Sequence, residues 1–408
     1  MSEIVQKNKK FDLIIWGSTG YTGKLVCEYI IKNYKRTNLR WALGGRNKLK
    51  LKKLISSLNL KNIPYVIADS YNKNSLFEMT KMTRTICSTV GPYSKYGTLL
   101  VEACIKSKTN YCDITGETHW IREIIDKYHS KALKNGVKII HACGFDSVPS
   151  DLGVLYAQNK IIEKTGKCAS KISMRVVSMK GGVSGGTIFS FLNILEESKK
   201  NKNVRKILQN PHSLNPKKNF ISTDERDLKN ITYDKNSKTW ISPFIMASIN
   251  TRIVRRSNYL MDFKYGEKFI YNEALIVGKS ILSKILGYFR LIPIYLVIKI
   301  KNSALKLLLD LVLPKPGQGP TEKRRKSGYF KFRFYVFDNK LKGIASVSGV
   351  GCPGYGSTSK ILAESSICLA QDELPKQNGI LTPSSGLGIP LLKRLEKNAD
   401  IKFEFKYL

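Results

Sequence analysis

A short apolar run from Asp12 to Trp16 leads without a break into Gly17, Ser18, Thr19, Gly20, Tyr21, Thr22 and Gly23, and the residues that follow read as a helix to Tyr34. Few chain paths need three glycines at such a point. They permit a tight turn off a strand, a close approach of backbone to a ligand, and tight packing of the next helix on the strand. The free amides and the dipole at the start of that helix attract an anion, so the segment reads as the pyrophosphate-binding turn of a βαβ unit.

The pattern continues as a series. Strands are predicted at Asp12–Trp16, Arg40–Leu43, Tyr65–Ala68, Thr85–Thr89, Tyr111–Asp113 and Lys138–His141, separated by helices Gly23–Tyr34, Lys48–Leu58, Asn74–Thr83, Leu99–Ser107 and Trp120–Asn135. Strand and helix alternating at this spacing give a parallel, doubly wound sheet, so residues 1–150 read as an α/β, Rossmann-type dinucleotide-binding domain. A chain of 408 residues outgrows one such core. Residues 151–358 read as an α+β substrate domain, with a helix near Asp151–Lys164, a strand at Lys171–Ser178 and extended runs at Tyr329–Phe337 and Ile344–Gly349. Residues 359–408 read as a helical segment packing back on the first domain.

The second strand runs into Leu43, Gly44, Gly45 and Arg46. A carboxylate at that point would hold the ribose hydroxyls of NAD and repel a 2′-phosphate, whereas the guanidinium of Arg46 offers a fork of donors matched to phosphate. NADP(H) is therefore favoured over NAD(H). Asp69, ending the third strand, either approaches the adenine edge or serves as a turn aspartate. Val90, Gly91, Pro92 and Tyr93 follow the fourth strand, where the nicotinamide end lies in sheets of this kind.

Hydride transfer also needs a proton source, and Tyr93 and Asp146 are the candidates, with Glu117 and His119 in the same region. Each has a plainer reading: a packed tyrosine, a helix cap, a structural histidine. Cys143 has no neighbouring base in sequence to lower its pKa. The turn Gly181 to Thr187 either offers amides to an anion or a carbonyl oxygen, or is a glycine-rich bend without a ligand.

The balance of 69 Lys+Arg against 31 Asp+Glu leaves a formal charge of +38, spread along the chain. Solvated lysine-rich faces and attraction to an anionic membrane are the two main readings, and no nucleic-acid-binding motif accompanies the charge. The 8 cysteines form no CxxC pair, so neither a metal site nor a disulfide framework is expected. The polar first residues do not resemble a secretory signal, and an intracellular location is expected. Ser280 to Leu313 is dense in Leu, Ile, Val and aromatics but interrupted by Lys284, Arg290, Lys299, Lys301 and Lys306. That pattern disfavours a spanning helix and fits a segment lying in the headgroup region of a membrane. A buried helix pair or a homodimer interface are its other readings.

WGSTGYTG, LGGR, VGPYSKYG, CDITGE and CGFDSVPSDLG occur in this order, followed by Gly181–Thr187, Gly317–Thr321 and Leu381–Pro383. Together they resemble the saccharopine dehydrogenase-like oxidoreductases, a family that includes the trans-acting enoyl reductases of mycobacteria. The resemblance implies a Rossmann domain, a second α/β domain, nicotinamide-dependent reduction and a small-molecule or lipid-linked substrate, with animal relatives associated with membranes and lipid droplets. Two other functions stay open: a nucleotide-binding scaffold or sensor without turnover, and a true saccharopine or amino-acid dehydrogenase. The Lys/Asn-rich stretch Asn201–Lys238 and the serines of Gly356–Ser359 depart from the family pattern.

Overall fold

The computed structural model describes residues 9–60, 62–145, 147–181, 193–194, 196–216, 226–289 and 319–408. Two seven-stranded sheets organise them. The first contains β1 (Phe11–Trp16), β2 (Trp41–Gly45), β3 (Tyr65–Ile67), β4 (Thr83–Ser88), β5 (Asn110–Asp113), β6 (Lys138–Ile140) and β13 (Gly379–Leu381), in the spatial order β13-β6-β5-β4-β1-β2-β3. Every pairing in it is parallel, and β1, buried at all six positions, lies at the point where the order reverses. That topology makes the carboxyl edge beside β1 the ligand-binding crevice of the sheet.

The expected strands and helices of this half are present with shifts of one or two residues at their ends. The reason is visible in β1: Leu13, Ile14 and Ile15 are fully buried because helices cover both faces, so an uninterrupted apolar run replaces alternation. The helices Tyr21–Tyr34 and Thr358–Gln371 pack against each other on one face. Their contact is pinned by the buried carboxylate of Glu364, which accepts from the hydroxyls of Tyr29 and Tyr34 at 2.7 and 2.6 Å.

The second sheet is mixed. It contains β7 (Lys171–Lys180), β8 (Thr232–Asp234), β9 (Thr239–Ser242), β10 (Ile270–Gly278), β11 (Tyr329–Asp338), β12 (Lys340–Val350) and β14 (Ile401–Tyr407), in the order β14-β12-β11-β7-β10-β9-β8. Strands β7 and β10 are parallel, and the remaining neighbours are antiparallel. The helix Val148–Thr165 lies on this sheet, and its approach depends on Gly153, where a Cβ would stand 2.3 Å from Phe334 Cζ.

One expectation needs correction. Residues 359–408 are not a helical segment alone, because they also contribute β13 to the first sheet and β14 to the second. Strand β13 has three residues and pairs with β6, whose sequence neighbours give no hint of that partner. Strands β8, β9 and β10 lie in the stretch that sequence patterning left without assigned elements.

A polar chain is buried where the helices Val148–Thr165 and Ala247–Leu260 meet β10. Ser147 Oγ donates to Asn250 Oδ1 at 3.0 Å, Asn250 Nδ2 donates to Glu273 Oε2 at 3.0 Å, and Tyr271 donates its hydroxyl to Glu273 Oε1 at 2.7 Å. Burial pushes the Glu273 carboxyl up to about 7. Asp151, also buried, accepts from Ser257 Oγ at 2.6 Å and from Ser384 N at 2.7 Å, and burial pushes it up to about 6.

Candidate functional site

Gly17 leaves β1 with φ +85°, a conformation that a side chain would disfavour. Its amide and that of Ser18 donate to Gly44 O at 3.0 and 3.2 Å, and Ser18 Oγ donates to the same carbonyl at 3.1 Å. The loop is thereby fastened to the end of β2. A Cβ on Gly23 would lie 2.2 Å from Gly17 O, so only glycine lets the helix start this close to the turn.

Gly20 precedes the helix Tyr21–Tyr34 in an extended conformation, with no side-chain cap and no acid in the first turn. The first bond closing that helix runs from Lys24 N to Gly20 O, which leaves the amides before it without helical partners. Uncapped amides at a helix start, beside a turn too tight for side chains, fit a dinucleotide pyrophosphate.

The other cofactor candidates lie on the same edge. Thr89 N donates to Trp16 O at 3.0 Å and Thr89 Oγ1 to Gly17 O at 3.2 Å, so the turn after β4 is sewn to the glycine loop. Gly91 is exposed, and the Gly91–Pro92 peptide is cis. On the far side, Ala68 N donates to Gly45 O at 3.3 Å, which places Arg46 and Asp69 at one level, just past the ends of β2 and β3. Arg46 is exposed, and Asn47 beside it caps the helix Lys48–Ser57 by accepting from Lys50 N at 3.0 Å. Asp69 Oδ1 accepts from Tyr71 N at 2.8 Å, the geometry of its turn role.

Sequence reasoning passed over Tyr71 and Tyr96. Tyr71 is 68% exposed, and its ring meets that of Tyr96 edge-on at 5.6 Å beyond the end of β3. The two tyrosines come from separate loops, so no local pattern joins them. Tyr21, within the glycine loop, was anticipated, but its partners were not. Its hydroxyl donates to Pro320 O at 2.6 Å and receives Arg325 Nη1 at 2.7 Å, tying the loop to the segment that leads into β11.

Tyr93, a candidate proton donor, is packed inside the first domain. It is 5% exposed, stacks on Trp120 with ring centroids 5.7 Å apart, and donates its hydroxyl to Ser88 O at 3.0 Å. Burial raises its phenol well above the ordinary range. Asp146 lies outside the described residues, as do residues 182–187 of the glycine-rich turn.

Glu117 is fully buried and accepts from Tyr93 N at 2.7 Å and Ser94 N at 3.0 Å. His119 is buried with Nε2 at 2.8 Å from Glu197 Oε2. Cys143 is buried with Sγ 3.6 Å from Ile140 O. An unanticipated pair sits at the ends of β5 and β6, where Asp113 Oδ2 contacts His141 Nδ1 at 2.8 Å and accepts from Tyr111 at 2.9 Å. Both side chains are buried inside the first domain. Among the described residues, no group of His, Cys, Asp and Glu could hold a metal ion.

Comparison with known proteins agrees with this geometry. Residues 13–140 match the family model described as the saccharopine dehydrogenase NADP binding domain. A trans-acting enoyl reductase of Mycobacterium tuberculosis is 32% identical over 407 residues, covering 95% of this chain and 96% of the relative. One from Mycobacterium ulcerans is 32% identical over 413 residues, covering 96% and 97%. The saccharopine dehydrogenase (L-Glu forming) of Saccharomyces cerevisiae shares the fold, with a TM-score of 0.55 at 11% identity over 97% of this chain and 99% of that one. An NADP-binding sheet of this kind, with relatives aligned along nearly the whole chain, places the protein among the saccharopine dehydrogenase-like oxidoreductases, the family of the mycobacterial trans-acting enoyl reductases.

Proposed function

We propose that the protein uses NADPH to reduce an apolar or lipid-linked substrate while resting on a membrane or lipid-droplet surface. The observation that carries the cofactor side is the set of uncapped amides at the start of the helix Tyr21–Tyr34, on the same edge as the exposed Arg46. When bound there, the dinucleotide supplies the hydride. Residues 17–23 hold its pyrophosphate, Arg46 takes the 2′-phosphate, and the turn Val90–Pro92 lies toward the nicotinamide. The name of the relatives supports an enoyl group as the group reduced.

The surface reading draws on the helical residues 281–289, the described part of the segment Ser280 to Leu313 together with Ser280. Ile281, Leu282, Ile285, Leu286 and Phe289 are all exposed there, Ile281 and Phe289 at 63% each. Exposed apolar side chains along these helical residues, in a chain of net charge +38, suit insertion at an anionic lipid interface. Among the described residues, no helix is long and apolar enough to cross a membrane.

Calorimetric titration tests the cofactor side. NADPH is expected to bind more tightly than NADH, and Arg46→Ala to erase the difference; equal affinities in the wild type would remove the argument. Co-sedimentation with phosphatidylserine vesicles tests the surface side. The full chain is expected to pellet with the vesicles, and Leu282→Lys combined with Phe289→Lys to leave it in the supernatant.

A further inference from the structure

We propose that Glu117 is a positioning residue that holds the turn Val90–Pro92 as the seat of the nicotinamide half of the dinucleotide. The inference rests on the NADP(H) reading above. Glu117 is 0% exposed, and its two carboxylate oxygens go to two backbone amides, Tyr93 N at 2.7 Å and Ser94 N at 3.0 Å. Burying a carboxylate is costly unless it is fully hydrogen-bonded, and amide donors to a charged acceptor form strong bonds.

The carboxylate is itself held from behind. Glu117 N donates to Thr115 Oγ1 at 3.1 Å, and Thr115 N donates to Asp113 Oδ1 at 3.0 Å, so the loop bearing Glu117 is anchored to the end of β5. At its other end the turn is fixed through Thr89 to Trp16 and Gly17.

Both ends of the turn are therefore clamped, one to the pyrophosphate loop and one to β5. Between the clamps, the amides of Val90 and Gly91 bond to no described residue, and Pro92 has no amide to offer. Two free donors on a turn held rigid from both sides are suited to the polar groups of a nicotinamide riboside. A flexible turn would lose part of that binding to ordering. A structural cap would support only the one-turn helix Tyr93–Tyr96, whereas a positioning role makes the nicotinamide half of the ligand depend on Glu117.

The test titrates the full chain with NADPH and with adenosine 2′,5′-bisphosphate, which lacks the nicotinamide half. Glu117→Gln and Glu117→Asp are each expected to weaken NADPH about tenfold and leave the bisphosphate within about twofold. Equal weakening of both ligands, or of neither, overturns the proposal. Failure of the wild type to bind either ligand defeats the NADP(H) reading instead, which keeps the two failures apart. If neither variant folds, amide hydrogen exchange on the wild type decides: NADPH, and not the bisphosphate, is expected to protect Val90 and Gly91, and identical protection by both overturns the proposal.

Discussion

Gly17 and Val90 approach so closely across the carboxyl edge that a Cβ on Gly17 would stand 2.6 Å from Val90 Cγ2. With φ at +85° as well, Gly17 joins two candidate cofactor segments that are distant in sequence and leaves no room for a side chain.

Gly17→Ala is therefore expected to lower stability by about 1–2 kcal/mol from backbone strain alone, with a further loss from the displaced Val90. NADPH affinity is expected to fall with it, because the same turn leads into the uncapped amides proposed to hold the pyrophosphate. Urea unfolding and nucleotide titration measure the two effects, and a variant unchanged in both would contradict the description of this turn.

Tyr93→Phe separates the packing role of Tyr93 from a role as proton donor. Loss of the hydroxyl leaves Ser88 O without that donor in a buried setting, which is expected to cost about 1–2 kcal/mol of stability. NADPH affinity should stay within about twofold. If packing is its whole role, NADPH oxidation in the presence of a membrane lipid extract should persist; a collapse of that rate at unchanged stability would instead support Tyr93 as the proton donor.

Tyr21 links the glycine loop to Pro320 and Arg325, and a double-mutant cycle with Tyr21→Phe and Arg325→Ala measures that link. A coupling of about 0.5–2 kcal/mol in urea unfolding is expected for groups sharing one hydrogen bond and a ring contact. Strict additivity of the two single variants would show that the contact contributes nothing in solution.

Glu273 predicts a direction for the pH dependence of stability. Its carboxyl is raised from 4.5 to about 7 by burial, so the folded state binds a proton more tightly than the unfolded chain does. The associated stability is full below pH 4.5 and is lost as pH rises through about 7, by an amount on the order of 3 kcal/mol. Thermal unfolding of wild type and Glu273→Gln across pH 4.5–8 checks this. The wild type should lose stability relative to the variant as pH rises, and parallel curves would exclude the effect. Asp151, raised to about 6, contributes in the same direction over a lower window and is unchanged by the substitution.

How much was legible in advance varies by segment. The strand–glycine–helix start and the arginine after β2 were readable because each expresses a local requirement: a turn without side chains, an uncapped helix, a cation at a strand end. The packing of Tyr93 was not readable locally, because its partners Trp120 and Ser88 are brought to it by the fold. The Asp113–His141 pair and the Tyr71–Tyr96 contact were invisible for the same reason, since their members come from different strands or loops.

What the amino-acid order determined by itself is the chain up to β6, its first third: periodic burial and glycine placement act between near neighbours and leave their mark on any short window. The tertiary structure alone decided that residues 379–381 would complete the first sheet and 401–407 the second. A three-residue strand has too little pattern to announce itself, and its position comes from the unpaired edge of β6 that it satisfies.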